Sequence, residues 1–223
     1  MNIAIEGMDG VGKSSVAKLL AKSLGYEHFE QKLIDKLGMD KEFYKEFVNY
    51  VRNSNNKKMS ALFFTLRCMI DNSDSFDSIV ERSITSLAYY EKDNINKKML
   101  ETILSLGVIP DLTFLLYAPT EERIKRIRKR NPYDEDLDNP EALADGYATM
   151  LEFLHSYNIH YVVIDTTELS LEYVVKTCHV ITCAYLKTKE EERKKLLEQL
   201  NDIYGFERNE KGRNKKLCKT NMM

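Results

Sequence analysis

Apolar and polar positions along the chain alternate between two rhythms. Asn2-Ile3-Ala4-Ile5-Glu6 is a short, mostly apolar run that predicts a buried strand. Val16, Leu19, Leu20 and Leu24 then share one face at helical spacing. Tyr26 to Phe29 predicts a second strand. Lys32 to Arg52 reads as helix, interrupted near Gly38, with Phe43, Phe47, Tyr50 and Val51 on its face. After the loop Asn53–Asn56, Met59 to Asn72 predicts a helix carrying Leu62, Phe63, Leu66 and Met69. Asp77 to Val80 predicts a strand that ends at Glu81-Arg82-Ser83, and Asn94 to Leu106 a helix closed by Gly107. Asp111 to Tyr117 is apolar almost throughout, as a strand buried on both faces should be. Thr120 is expected to cap a helix with Glu121 and Glu122 in its first turn and Arg126 to Arg130 at its end. Asn131 to Pro140 is a polar, acidic loop, Glu141 to Tyr157 a helix, and Tyr161 to Asp165 another buried strand.

Strands alternating with helices predict an α/β fold, a central parallel sheet flanked by helices. Ligands of such sheets lie at the carboxyl ends of the strands. Gly7–Ser14, Glu81-Arg82 and the loop after Asp165 all follow strands, so they are expected at one edge.

Composition narrows the class. With 223 residues, 43% hydrophobic and 30% charged, the chain can bury one sizeable core. The domain is expected over residues 1–186. Residues 187–223 follow as a charged helix, apolar only at Leu196, Leu197, Leu200 and Ile203, and a basic tail from Arg208 to Lys219. A net charge of −2 argues against a dedicated nucleic-acid binder. No apolar run reaches the roughly 20 residues of a membrane helix. Met1-Asn2-Ile3 runs straight into the first strand, leaving no room for a signal peptide. The four scattered cysteines suit a reducing cytoplasm, and Cys178-His179 with Cys183 lacks the second ligand pair of a metal site.

Gly7 to Ser14 reads GMDGVGKS and fits the phosphate-loop pattern G-x-x-x-x-G-K-[ST] in full, between a strand and a helix. Gly7, Gly10 and Gly12 let the backbone wrap an anion, and the loop and first-turn N–H groups point at its oxygens. Lys13 supplies a compact positive charge for the β and γ phosphates, and Ser14 a hydroxyl ligand for Mg²⁺. The motif implies a nucleoside triphosphate, ATP, as ligand.

Other candidates group around it. Glu81 fits either the magnesium shell or acceptance of a hydroxyl proton, and Arg82 can clamp an acceptor phosphate. Arg123, Arg126, Arg128 and Arg130 precede a polar loop and can close over a transferring phosphate; Arg126 and Arg130 share a face. Arg67 lies among Phe63, Phe64 and Leu66, where an arginine suits ligand binding and Phe63 or Phe64 can stack a base or pack the core.

On these residues the chain resembles the thymidylate kinase and deoxynucleoside kinase branch of the P-loop kinases, over roughly residues 1–175. The Asp9-Gly10 pair in the loop is similar to thymidylate kinases, as are Leu62-Phe63-Phe64-Thr65-Leu66-Arg67, Pro110–Thr113 and Arg126–Arg130, while Glu81-Arg82-Ser83 stands where they carry D-R-[YH] and resembles deoxynucleoside kinases. The resemblance implies a P-loop kinase fold with a lid near 126–140. It implies donor contacts from Gly7, Asp9, Gly10, Val11, Gly12, Lys13, Ser14 and Ser15, and acceptor contacts from Asp9, Phe63, Arg67, Arg82 and Tyr89. Dimerisation is common in that branch, so a homodimer is an expectation.

The sequence also departs from that pattern. Phe29-Glu30-Gln31-Lys32-Leu33 stands where thymidylate kinases carry R-E-P-G-G-T, and Tyr90 replaces the usual Gln. The spacing from Glu81 to Tyr89 is that of deoxynucleoside kinases. A monophosphate acceptor is already a nucleophile and needs cations: Arg82, Arg67 and the lid arginines. A nucleoside acceptor needs a general base, for which Glu30 and Glu81 are placed. The leading expectation is ATP- and Mg²⁺-dependent phosphorylation of a deoxynucleoside monophosphate, dTMP first. A deoxynucleoside kinase and a nucleotide-binding regulatory module are the alternatives.

Overall fold

The computed structural model describes residues 1–30, 32–71, 77–106, 109–138 and 144–204. The chain divides into two units, residues 1–179 and 180–223. The first unit is built on a five-stranded, all-parallel sheet in the order β2-β3-β1-β4-β5. The strands are β1 (Asn2–Glu6), β2 (Glu27–Phe29), β3 (Ser78–Glu81), β4 (Leu112–Tyr117) and β5 (Tyr161–Asp165). The helices are α1 (Lys13–Leu24), α2 (Lys32–Asp35), α3 (Lys41–Arg52), α4 (Lys57–Asp71), α5 (Ile84–Tyr90), α6 (Lys97–Ser105), α7 (Thr120–Arg130), α8 (Tyr147–Ser156) and α9 (Leu171–Tyr204). A 3₁₀ turn covers Glu135–Leu137.

Strand β1 lies at the centre, with Ile3 opposite Ile79 on one side and Leu112 on the other. Ile3, Ala4, Ile5, Phe114 and Leu115 are wholly buried, which explains their unbroken apolar runs: both faces are covered. A second cluster joins α5, α6 and α8 through Ile84, Leu87, Ile103, Met150 and Leu154.

Several expectations change. The run Tyr161–Asp165 is an edge strand in which only Ile164 is buried, because β5 has one neighbour and one covered face. Pro119, not Thr120, precedes α7; Thr120 is its first residue, and its hydroxyl accepts from Arg123 instead of capping. Helix α6 starts at Lys97, capped by the Asn96 side chain, and α8 starts at Tyr147, later than the apolar pattern suggests. Asn72, Gly107, Pro140 and Glu141 lie outside the described residues.

In the second unit α9 runs to Tyr204, and its exposed charges pair as Lys189–Glu192 (3.5 Å) and Lys194–Glu190 (2.9 Å). The basic tail lies outside the described residues. Among the described residues no helix is long and apolar enough to cross a membrane.

Candidate active site

The phosphate loop leaves the carboxyl end of the central strand and enters α1. Gly10 and Gly12 hold φ of +87° and +99°, a region that costs any residue with a Cβ. At Gly10 a Cβ would also stand 2.8 Å from the Arg123 carbonyl oxygen, so this glycine lets α7 press against the loop. Arg123 is not a lid arginine. It is 1% exposed, and its guanidinium donates to the carbonyls of Asp9 and Ala144 and to the Thr120 hydroxyl, bracing the loop from beneath. Thr166, in the turn after β5, donates its hydroxyl to the Val11 carbonyl (3.2 Å). The loop therefore meets the turn after β5 as expected.

Lys13 is 7% exposed and donates to the Met8 carbonyl (2.9 Å) and to Asp9 Oδ1 (3.2 Å). Burial and the Arg82 charge push its ammonium down to about 8 against the pull of Asp9. Asp9 sits between cations. Burial alone would raise its carboxyl, but Lys13 and Arg82 outweigh this and hold it well below the usual carboxylate range. Arg82 donates to Asp9 Oδ1 (2.5 Å) and lies 5.1 Å over the Tyr90 ring, while the Tyr90 hydroxyl reaches Asp9 Oδ2 (3.4 Å). Burial lifts Tyr90 to about 12. Arg82 itself holds a left-handed φ of +66°. Such strain in a bulky residue marks a position that the surroundings enforce.

Glu6 supplies part of that enforcement. Wholly buried at the end of β1, its carboxylate accepts from the Ser83 N–H (2.6 Å) and hydroxyl (2.7 Å) and from the Ser86 N–H (3.3 Å) and hydroxyl (2.5 Å). It thus fastens the start of α5, and the residue after Arg82, to the phosphate-loop strand. Glu81 is 6% exposed; Oε2 accepts from the Ser14 hydroxyl (2.5 Å) and Oε1 meets His28 Nε2 (2.8 Å). A hydroxyl and a carboxylate this close at the loop form a hard-oxygen pair suited to Mg²⁺. Among the described residues no three His, Cys, Asp or Glu side chains converge as a metal cage.

These groups open onto one cleft of about 910 Å³. Its walls carry Asp9, Gly10, Gly12, Lys13, Ser14, Ser15, Glu30, Arg67, Glu81, Arg82, Arg126 and Arg130 from the expected set, together with Phe64, Tyr90, Glu91, Asn94 and Asp136. Gly7 and Val11 lie behind the loop, where a Cβ on Gly7 would stand 2.4 Å from the Leu116 oxygen. Phe63 and Tyr89 do not face the cleft. Phe63 packs edge-on against Phe47 (5.2 Å) and Phe64 (5.1 Å), and Tyr89 is buried in the α5–α8 cluster. Their neighbours Phe64 and Tyr90 take the cleft positions, since one step along a helix turns the side chain by about 100°. Arg67 pairs with Asp71 (3.4 Å). Arg126 is held by Glu122 (3.0 Å), the Thr166 hydroxyl (3.0 Å) and the carbonyls of Thr166 (2.7 Å) and Thr167 (3.1 Å). Arg130 is largely exposed and pairs with Asp134 (2.6 Å), whereas Arg128 is exposed away from the cleft.

A sequence profile described as Thymidylate kinase matches residues 5–177. The chain belongs to the thymidylate kinase family. A probable thymidylate kinase of Methanocaldococcus jannaschii is 29% identical over 197 residues, covering 84% of this chain and 96% of the relative. Among solved structures, a deoxyadenosine kinase from M. mycoides superposes with a TM-score of 0.54 at 19% identity, covering 82% of this chain and 99% of the other. Thymidylate kinase from Ehrlichia chaffeensis gives 0.54 at 18% identity, covering 82% and 97%. These two likenesses speak to the fold, that of P-loop nucleotide and nucleoside kinases. Family membership makes the chain an ATP-dependent nucleotide kinase and removes the non-enzymatic regulatory module from consideration.

For this thymidylate kinase family member, sequence reasoning overlooked Glu6 and His28 and took Tyr90 only as a replaced Gln. Glu6 was visible as a carboxylate ending an apolar strand, a position that demands buried partners. His28 carried no signal, because its partner lies 53 residues away.

Proposed function

We propose that the protein transfers the γ-phosphoryl group of ATP to the 5′-phosphate of dTMP. The observation that carries this reading is the single cleft in which a complete phosphate loop faces Arg82 and Arg67. An acceptor phosphate is itself the nucleophile, so the site needs cations and alignment more than a base. The loop N–H groups and Lys13 hold the donor phosphates. Lys13 and Arg130 offset charge on the group in flight, and Arg130 must first leave Asp134 to do so. Arg126 is committed to Thr166 and Thr167, which assigns it to shaping the donor-base turn. Ser14 and Glu81 would hold Mg²⁺, which when bound screens the phosphate charges. Asp9, Tyr90 and Arg82 form one acceptor-side unit, with the Arg82 guanidinium orienting the acceptor phosphate. Phe64 and Arg67, both on the cleft wall, would stack and read the base.

A coupled ADP-release assay with ATP and Mg²⁺ against deoxynucleosides and their 5′-monophosphates tests this. Turnover highest with dTMP is expected; turnover confined to nucleosides would replace the reading with a deoxynucleoside kinase in which Glu30 acts as base. The exposed apolar face of α3 and α4, formed by Phe43, Phe47, Leu62 and Leu66, supports a homodimer, which sedimentation velocity will detect. The four scattered cysteines of the sequence fit a reducing cytoplasm.

A further inference from the structure

His28 has no place in the reading above, yet it touches the carboxylate assigned to the metal shell. Strand β2 pairs with β3 so that His28 lies beside Ile79, two residues before Glu81. Residues two apart on a strand share a face, which brings His28 and Glu81 to the same side of the sheet. The Nε2 atom is 2.8 Å from Glu81 Oε1, while Ser14 occupies Oε2. A carboxylate only accepts hydrogen bonds, so Nε2 carries the proton and donates. His28 does not line the cleft, and its contact with the site runs through Glu81.

We propose that His28 is a positioning residue for magnesium: it pins Glu81 Oε1 and thereby leaves Oε2 aimed at Ser14 and the donor phosphates. The inference rests on Glu81 serving the metal. Its basis is the division of labour between the two oxygens. A nearly buried carboxylate needs a partner on each side, and a Glu side chain has three rotatable bonds to freeze. Ser14 is called away when its hydroxyl turns to a cation. The His28 bond is then the side-chain contact that still fixes the carboxylate plane.

The test uses the full chain with Mn²⁺ as a paramagnetic stand-in for Mg²⁺ and a non-hydrolysable ATP analogue, read by electron paramagnetic resonance. His28→Ala should weaken Mn²⁺ binding roughly 10- to 100-fold, as loss of outer-shell partners does. Affinity for the analogue without metal should stay the same. His28→Gln, which keeps an N–H near the Nε2 position, should recover most of the loss; His28→Met, of similar volume without a donor, should not. Unchanged Mn²⁺ binding in His28→Ala and His28→Met overturns the proposal, as does a loss that Gln cannot repair. Glu81→Gln is measured alongside. If it alone weakens Mn²⁺, His28 is not the positioning group; if it too is silent, Glu81 is not a metal residue and the reading beneath has failed.

Discussion

The two walls of the cleft are built in opposite ways. The proposed donor wall is cut from one contiguous segment, Gly7 to Ser15, of which Asp9, Gly10 and Gly12 to Ser15 face the cleft and whose backbone would do most of the binding. The proposed acceptor wall is gathered from segments far apart in the chain, and side chains would do the work: Arg82 leans on Asp9 and Tyr90, and the buried Glu6 behind them holds Ser83 and Ser86. Backbone recognition depends on a local conformation, which glycines secure. Side-chain recognition depends on the whole sheet being in register. A substitution on the donor wall should therefore remove chemistry, whereas one on the acceptor wall should loosen a substrate.

The sharpest way to break that contrast is Lys13→Ala. Turnover should fall at least roughly 10³-fold, as when a main transition-state charge partner is lost, with the far-UV circular dichroism unchanged. Arg82→Ala should cost roughly 10- to 100-fold in kcat/KM for dTMP, the scale of a hydrogen bond to a charged group, while KM for ATP changes little. An equal rise in both KM values would erase the distinction between the walls.

Acidity sharpens it further. With the Lys13 ammonium held at about 8 in the free enzyme, kcat/KM for ATP should decline as pH rises through that value, about tenfold per unit beyond it. Lys13→Arg should abolish this limb in the pH profile, since guanidinium stays charged. The same shift acts on stability with the opposite sign. The folded value lies below the ordinary 10.5, so the unfolded chain binds the proton more tightly, and ligand-free stability should gain between about 8 and 10.5.

Gly10→Ala should cost about 1–3 kcal/mol from its left-handed backbone, and more from the Arg123 carbonyl. Thermal unfolding will show this as a fall of roughly 2–4 °C per kcal/mol. The smallest effect is expected at Glu30→Gln, under about twofold on dTMP. A hundredfold loss would instead show that Glu30 is a general base.

The same contrast explains what could be read from sequence. The α/β alternation and the buried run from Leu112 to Leu116 were legible because apolar periodicity reports burial directly. The loop was legible because its requirements are local. Tyr161–Asp165 was misjudged because composition does not tell an edge strand from a central one. At Phe63-Phe64 and Tyr89-Tyr90 the sequence offers adjacent aromatics, and tertiary packing makes the choice between them, with Phe64 and Tyr90 on the cleft wall. Arg123 and Arg126 look like Arg130 in sequence. Only the Asp9 and Ala144 carbonyls and the turn after β5, all distant along the chain, tell them apart.

The position of β1 in the sheet has a consequence for synthesis. Its partners begin at Ser78 and Leu112, so β1 leaves the ribosome before either strand it pairs with. The phosphate loop, the most compact motif in the chain, is thereby assembled late. Arg123, which braces it, emerges later still. Nascent chains that stop before β3 should display an apolar β1 to chaperones and retain no grip on nucleotide, because non-local parallel pairing must precede the pocket it supports.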